Sequence, residues 1–161
     1  MGEMTREEAI RTIGTLIGEV PVAMLTTTSA RGWLRSRPMV AQRLPFDGAL
    51  WFLASRTAAK SADVRDRRQV NVSYASPERE CYVSIAGVAT LVEDRARAAS
   101  LWNASYEPWF PKGLDDPDLV LIRVDAEEAE YWDPAAKKMV IVSELQQRRP
   151  VFRDLEPGAG W

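Results

Sequence analysis

The spacing of apolar and polar positions changes period several times along the chain, and each change marks an element. Thr5 and Glu8 have the spacing of a capping box, in which each side chain satisfies a backbone N–H at a helix start. Ile10, Ile13 and Ile17 then recur at helical spacing, and Gly18 supplies a stop. Beyond Pro21 the pattern turns to strand. Val22 to Thr28 is apolar and β-branched, Ser29–Gly32 is turn-like, and Trp33 to Leu44 reads as the returning strand of a hairpin. Pro38 has no N–H to give a ladder, which sets that point at an edge or a bulge. Pro45–Gly48 makes the next turn, and Ala49 to Ser55 is a strongly apolar strand.

Thr57 to Arg68 reads as a short helix, followed by a strand over Gln69 to Ala75 with Val70, Val72 and Tyr74 on one face. Glu80 to Glu93 is a long strand with Gly87 at its middle, where a bulge or a close backbone approach is expected. Asp94 caps a helix to about Ser105, and an aromatic loop broken by Pro108 and Pro111 follows. Leu119 to Val124, Glu128 to Trp132 and Met139 to Val142 complete the strands. Six or seven short strands with few helices predict a mainly β fold, a closed or partly closed barrel with peripheral helices. A parallel α/β sheet needs a helix after almost every strand, which this chain lacks.

Length and composition narrow the chemistry. The 161 residues suit one domain with one core. No apolar run approaches the ~20 residues of a membrane helix, and the charged N-terminus shows no secretory signal. A single cysteine, Cys81, excludes an internal disulfide and points to a reducing cytoplasm. The absence of histidine removes histidine bases, the common zinc sites and histidine-ligated haem, and no metal site is expected. Net charge is −2, yet nine basic and only three acidic residues lie between Arg31 and Arg68. That concentration suggests a local anion site, with a solvated face as the plain alternative. A pI near 5.3 opposes nucleic-acid binding.

Familiar nucleotide and nucleophile motifs are missing, and Asp115–Asp116 beside Pro117 reads as a solvated turn. What remains is a basic strand–turn–helix region and six tryptophans. Arg37 lies on a strand, and Lys60 stands at the start of a helix, where free N–H groups favour a phosphate. Ser55 and Thr57 add hydroxyls at that mouth. Trp102, Trp109, Phe110 and Trp132 are candidates to flank a flat heterocycle or to pack the core. Trp51, Trp102 and Trp109, if exposed on a small barrel, call for a symmetric interface.

The order of several segments resembles the FMN-binding split-barrel family related to pyridoxamine 5′-phosphate oxidase, in its general stress protein branch. The segments are Arg37-Pro38-Met39, Gly48 to Ser55, Lys60, Tyr82 to Gly87, Asp94-Arg95, Leu101-Trp102, Trp109 to Gly113 and Glu130 to Asp133. The resemblance spans about residues 5–142, leaving about 143–161 as a C-terminal tail of a single domain. It implies a six-stranded split barrel, a homodimer, and FMN in a cleft between subunits. Carried over by position, Arg37 and Lys60 bind the phosphate with Ser55 close by. The backbone around Met39, Val40, Leu53 and Ala54 runs along the ring system. Tyr82, Ser84 and Trp132 border the flavin, and Trp109-Phe110 matches the aromatic segment of the stress-protein branch. The oxidase has lysine where this chain has Gln42 and arginine where it has Ala59.

The function implied is that of a general stress protein with an FMN-dependent oxidoreductase activity, accepting hydride from a nicotinamide nucleotide. The alternatives are a flavin-binding protein without turnover and a deazaflavin-dependent reductase. Pyridoxamine phosphate oxidation itself is not expected. Glu130-Tyr131-Trp132 is followed by Asp133 to Lys138, with no arginine before Arg148 and no histidine.

Overall fold

A computed structural model describes residues 4–42, 44–147 and 150–154 of the chain. Arg43, placed by the sequence in the returning strand, and Arg148 lie outside the described residues, as does the end of the expected tail. Helix α1 (Arg6–Ile17) starts on the expected capping box. Thr5 Oγ1 accepts from the Glu8 N–H at 3.2 Å, and Glu8 Oε2 accepts from the Thr5 N–H at 2.7 Å. Its Ala9, Ile13 and Ile17 face is buried in the main core, while Ile10 is only half-buried. The Cys81 thiol donates to Leu16 O at 3.3 Å and ties the helix to the sheet.

One antiparallel sheet makes up the body. Its strands are β1 (Val22–Thr28), β2 (Leu34–Val40), β3 (Ala49–Ser55), β4 (Gln69–Ser76), β5 (Cys81–Val92), β6 (Leu119–Asp133), β7 (Lys138–Ser143) and β8 (Val151–Asp154). They run in the order β2-β1-β4-β5-β6-β7-β8, with β3 paired to β6. Strand β6 sets the shape. Along one edge it meets β5, and along the other its first half pairs with β3 and its second half with β7. The strands expected at Leu119–Val124 and Glu128–Trp132 are therefore one, interrupted only by a bulge. The register shifts there between Ala86/Glu128 and Gly87/Ala126, so Glu127 is the extra residue. A Cβ on Gly87 would lie 2.4 Å from Asp125 O, so only glycine lets the two backbones approach this closely.

The core follows the register. Leu25, Val72, Ile85, Ala129 and Val142 are cross-strand neighbours in a single row, and each has zero exposure. Full burial of each larger member stabilises the fold by roughly 1.5–3 kcal/mol. Strand β3 is buried on both faces, which is why its sequence is apolar throughout. Leu50, Phe52 and Ala54 enter the main core, whereas Ala49, Trp51 and Leu53 pack in a second cluster with Ala98 of α3 (Arg95–Leu101).

Several expectations are corrected here. The six strands implied by resemblance become eight among the described residues, because β7 and β8 extend the sheet past β6. The core also continues beyond residue 142: Leu145 is fully buried and its carbonyl accepts from Arg6 Nε at 2.8 Å. Trp51 is not exposed. The Arg97 and Arg123 guanidinium groups lie over its ring, 4.5 and 5.3 Å from the ring centre. The Asp94-capped helix ends at Leu101 rather than near Ser105, and a 3-10 turn at Ala104–Tyr106 follows.

Candidate functional site

Among the described residues, strands β2 and β3 each pair along one edge only, β2 with β1 and β3 with β6. They face each other across a split in the sheet. Pro38 thus sits on an edge strand, where its missing N–H costs no ladder bond. At one end of the split Gln42 bridges the gap. Its Oε1 accepts from the Trp51 N–H at 2.5 Å and its Nε2 donates to Leu44 O at 3.2 Å. The Gln42 amide thus ties the start of β3 to the segment that follows β2.

Beyond Gln42 the split opens into a cleft of about 350 Å³. Pro38, Met39 and Val40 form one wall, and Leu53, Ala54 and Ser55 the other. Ser105, Tyr106, Trp109 and Phe110 close it from the side, and Lys60 stands at its end. Phe110 is buried and packs near Trp102, with ring centres 6.3 Å apart, while Trp109 is 75% exposed. Two strand edges that find no partner strand on the cleft side among the described residues, lined by apolar side chains, match the edge and faces of a flat heterocycle.

The polar end is built by α2 (Ala59–Asp66), which carries both Lys60 and Asp63. Among the described residues no side chain caps the start of α2. Asp63 is 5% exposed and accepts from Thr27 Oγ1 at 2.8 Å and from Arg35 Nη2 at 2.9 and 2.8 Å. Arg37 Nη1 donates to Thr27 Oγ1 at 2.7 Å, and its Nη2 is 3.8 Å from Asp63 Oδ2. Burial opposes ionisation of Asp63, but the hydrogen bonds from Thr27 and Arg35 and the two guanidinium charges outweigh it and hold its carboxyl below the usual range. Lys60 is shifted the other way. Burial, and then the nearby Arg37 charge, lower its ammonium below the ordinary lysine value. Around Asp63 three cations thus meet one carboxylate, so positive charge is in excess there.

The structure gathers eight of the expected residues at this cleft: Met39, Val40, Leu53, Ala54, Ser55, Lys60, Trp109 and Phe110. Arg37 stands just inside, on the inner face of β2 opposite Leu25. Ser55 carries a constraint that its sequence does not show. Its hydroxyl donates to Asp118, which also accepts from the Thr57 N–H and hydroxyl, both at 3.1 Å. Tyr82, Ser84 and Trp132 are not among the residues that line this cleft. Ser84 belongs to a row with Pro38, Met24, Ser73 and Glu130, which puts it on the outer face of the sheet. Tyr82 and Trp132, each two residues along their strands from that row, share the face.

Sequence reasoning missed Thr27, Arg35, Asp63 and Tyr106. For Asp63 one signal existed, as one of only three acids in the basic third and three residues after Lys60 on a helix. The Asp115–Asp116 turn is as expected: Asp115 pairs with Arg95, and Asp116 Oδ1 accepts from the Asp118 N–H at 3.0 Å. Among the described residues no helix is long and apolar enough to cross a membrane.

Known proteins share this architecture. The general stress FMN/FAD binding protein of Xanthomonas citri superposes with a TM-score of 0.66 at 28% identity, over 78% of this chain and 89% of that one. Protein bli-3 of Neurospora crassa is 24% identical over 139 residues, 80% of this chain and 66% of that protein. General stress protein 26 of Bacillus subtilis is 30% identical over 61 residues, 38% of this chain and 43% of that protein. The chain therefore spans less than two thirds of either curated relative. The model of the family described as pyridoxamine 5′-phosphate oxidase like matches residues 8–149, which include both walls of the cleft, α2 and the aromatic loop, and the chain belongs to that family.

Proposed function

We propose that this protein binds FMN in the split between β2 and β3 and works as a flavin-dependent oxidoreductase taking hydride from NAD(P)H. The observation that carries the reading is the cleft itself: strand edges without a partner strand among the described residues, and apolar walls ending where cations outnumber carboxylates. FMN has a flat ring system with hydrogen-bonding edges and a dianionic phosphate, and both ends find their complement here. Bound FMN supplies a hydride acceptor. The chain's residues bind and orient. Lys60 and Arg37 hold the phosphate, the β2 and β3 edges fix the ring, and Met39, Leu53 and Phe110 exclude water from one side.

The outer face favours a homodimer. Val22 and Val40 are cross-strand neighbours there, both 48% exposed, and Met24 beside Pro38 is 38% exposed. This apolar strip borders the cleft, so a second copy docked on it covers the ligand. Tyr82, Ser84 and Trp132 then border flavin across the interface rather than within one chain. Of the two lysines that follow Trp132, Lys137 and Lys138, the second is tied to Asp154 at 2.6 Å, and pyridoxamine phosphate turnover is not expected.

Titration with FMN, followed by its visible spectrum and by NAD(P)H consumption, tests the reading. A shifted spectrum with nicotinamide oxidation is expected. No binding at high micromolar FMN ends it, while binding without oxidation leaves a flavin-holding protein.

A further inference from the structure

A buried carboxylate beside a phosphate site is unexpected, because it repels the ligand that the cations attract. Its hydrogen bonds give it a different role. Ionised Asp63 only accepts, so the Thr27 hydroxyl must point its proton at Oδ2. The oxygen of Thr27 is then left as an acceptor, and Arg37 Nη1 donates to it at 2.7 Å. The second Arg37 bond, to Leu25 O at 3.4 Å, also uses Nη1. Nε and Nη2 have no hydrogen-bond acceptor among the described residues, although Nη2 lies 3.8 Å from the carboxylate. One side of the guanidinium is thus anchored and the other is left for a ligand. Asp63 also sits three residues after Lys60 on α2, so the same helix that carries one cation fixes the position of the other, which comes from β2. Arg35 caps both carboxylate oxygens and offsets the negative charge.

We propose that Asp63, acting through the Thr27 hydroxyl, is a positioning residue that holds Arg37 for the ligand's phosphate and so sets a preference for FMN over riboflavin. The inference rests on the flavin reading above. It predicts a sign that a simple counter-charge does not. Removing the negative charge alone strengthens attraction for a dianion, whereas removing a positioning group weakens it.

The test is titration of the full chain with FMN and, separately, riboflavin, for the unsubstituted protein, Thr27→Val, Thr27→Ser and Asp63→Asn. Thr27→Val keeps the charge and nearly the shape but removes the bridging oxygen. It is expected to weaken FMN about tenfold and leave riboflavin unchanged, with Thr27→Ser restoring the preference. Asp63→Asn is expected to weaken FMN in the same direction. Tighter FMN binding in Asp63→Asn, or an unchanged FMN-to-riboflavin ratio in Thr27→Val, overturns the proposal. Where Asp63→Asn does not fold, the two Thr27 variants decide alone. An unsubstituted protein that binds neither flavin removes the flavin reading and this inference together. One that prefers FMN and keeps that preference in Thr27→Val removes only the inference.

Discussion

Two hollows of nearly equal size lie on this protein, and they differ in how their charges are matched. The cleft between β2 and β3 is about 350 Å³, and the hollow beside α3 is about 340 Å³. In the second, Arg56 pairs with Glu93 at 2.5 Å and Arg95 with Asp115. Asp94 caps α3 by accepting from the Arg97 N–H at 2.9 Å, and Asp116 accepts from the Asp118 N–H. Each charged group that lines it is thus answered within the chain. In the first hollow the cations outnumber the acids, and among the described residues two strand edges lack a partner strand. Volume does not distinguish them. Uncompensated polarity does, because a protein tolerates crowded like charges where a ligand completes the balance.

The largest expected effect is on the unmatched side. Lys60→Ala should weaken FMN by about 2 kcal/mol, the usual worth of a hydrogen bond to a charged group, and leave riboflavin nearly unchanged. The apo protein should lose no stability, since its Lys60 charge is disfavoured by burial and by Arg37. Parallel titrations with melting curves check both parts. Equal losses for the two flavins would move Lys60 away from the phosphate.

A pH effect follows from the same group. Burial and Arg37 lower the Lys60 ammonium, and a bound phosphate favours its charged form. The FMN-to-riboflavin affinity ratio should therefore hold steady at neutral pH and fall as pH rises through the lowered lysine value, beginning at a lower pH than for an ordinary lysine. Lys60→Arg, whose charge does not titrate in that range, should remove the decline. A ratio that begins to fall no earlier than an ordinary lysine would require, or that does not fall at all, would place the phosphate elsewhere.

Local pattern carried the sequence reading a long way, and its failures have a common cause. The Thr5 cap, the Gly87 bulge, the Pro38 edge and the doubly buried run of β3 were legible because each follows from residues within a few positions. Strand β8 was not. Val151–Asp154 shows no alternation and is a strand only because β7 offers it an edge. Thr27 and Asp63 are 36 residues apart and meet only after β1 and α2 have packed. Resemblance supplied Tyr82, Ser84 and Trp132, but only the sheet register shows that they share an outer face.

Asp118 lies between the two hollows, and a smaller effect is expected there. Its hydrogen bonds from Ser55 and Thr57, led by Ser55, hold its carboxyl below the usual range, so it is charged at neutral pH beside the mouth of the β2–β3 cleft. Asp118→Asn keeps an acceptor for Thr57 and removes a negative charge from the approach. FMN should bind about twofold tighter, an effect that salt screens, while riboflavin is unaffected. Weaker FMN in this variant would mean that the Asp118–Ser55 bond holds Ser55 for the phosphate, and that its positioning outweighs its charge.

The smallest effect is predicted in the matched hollow. Arg95 is 64% exposed and its partner Asp115 is 76% exposed, so solvent screens most of their attraction. Exposed pairs of this kind are commonly worth about 0.5 kcal/mol. Arg95→Ala should accordingly lower the melting temperature slightly and change neither FMN nor riboflavin affinity. The result matters because a volume argument alone ranks the two hollows together, with a basic residue at each. If Arg95→Ala weakens FMN as much as Lys60→Ala does, charge matching inside the chain does not separate a ligand site from a structural hollow, and the assignment of the β2–β3 split loses its physical basis. If only Lys60→Ala does so, the surplus of positive charge identifies the site.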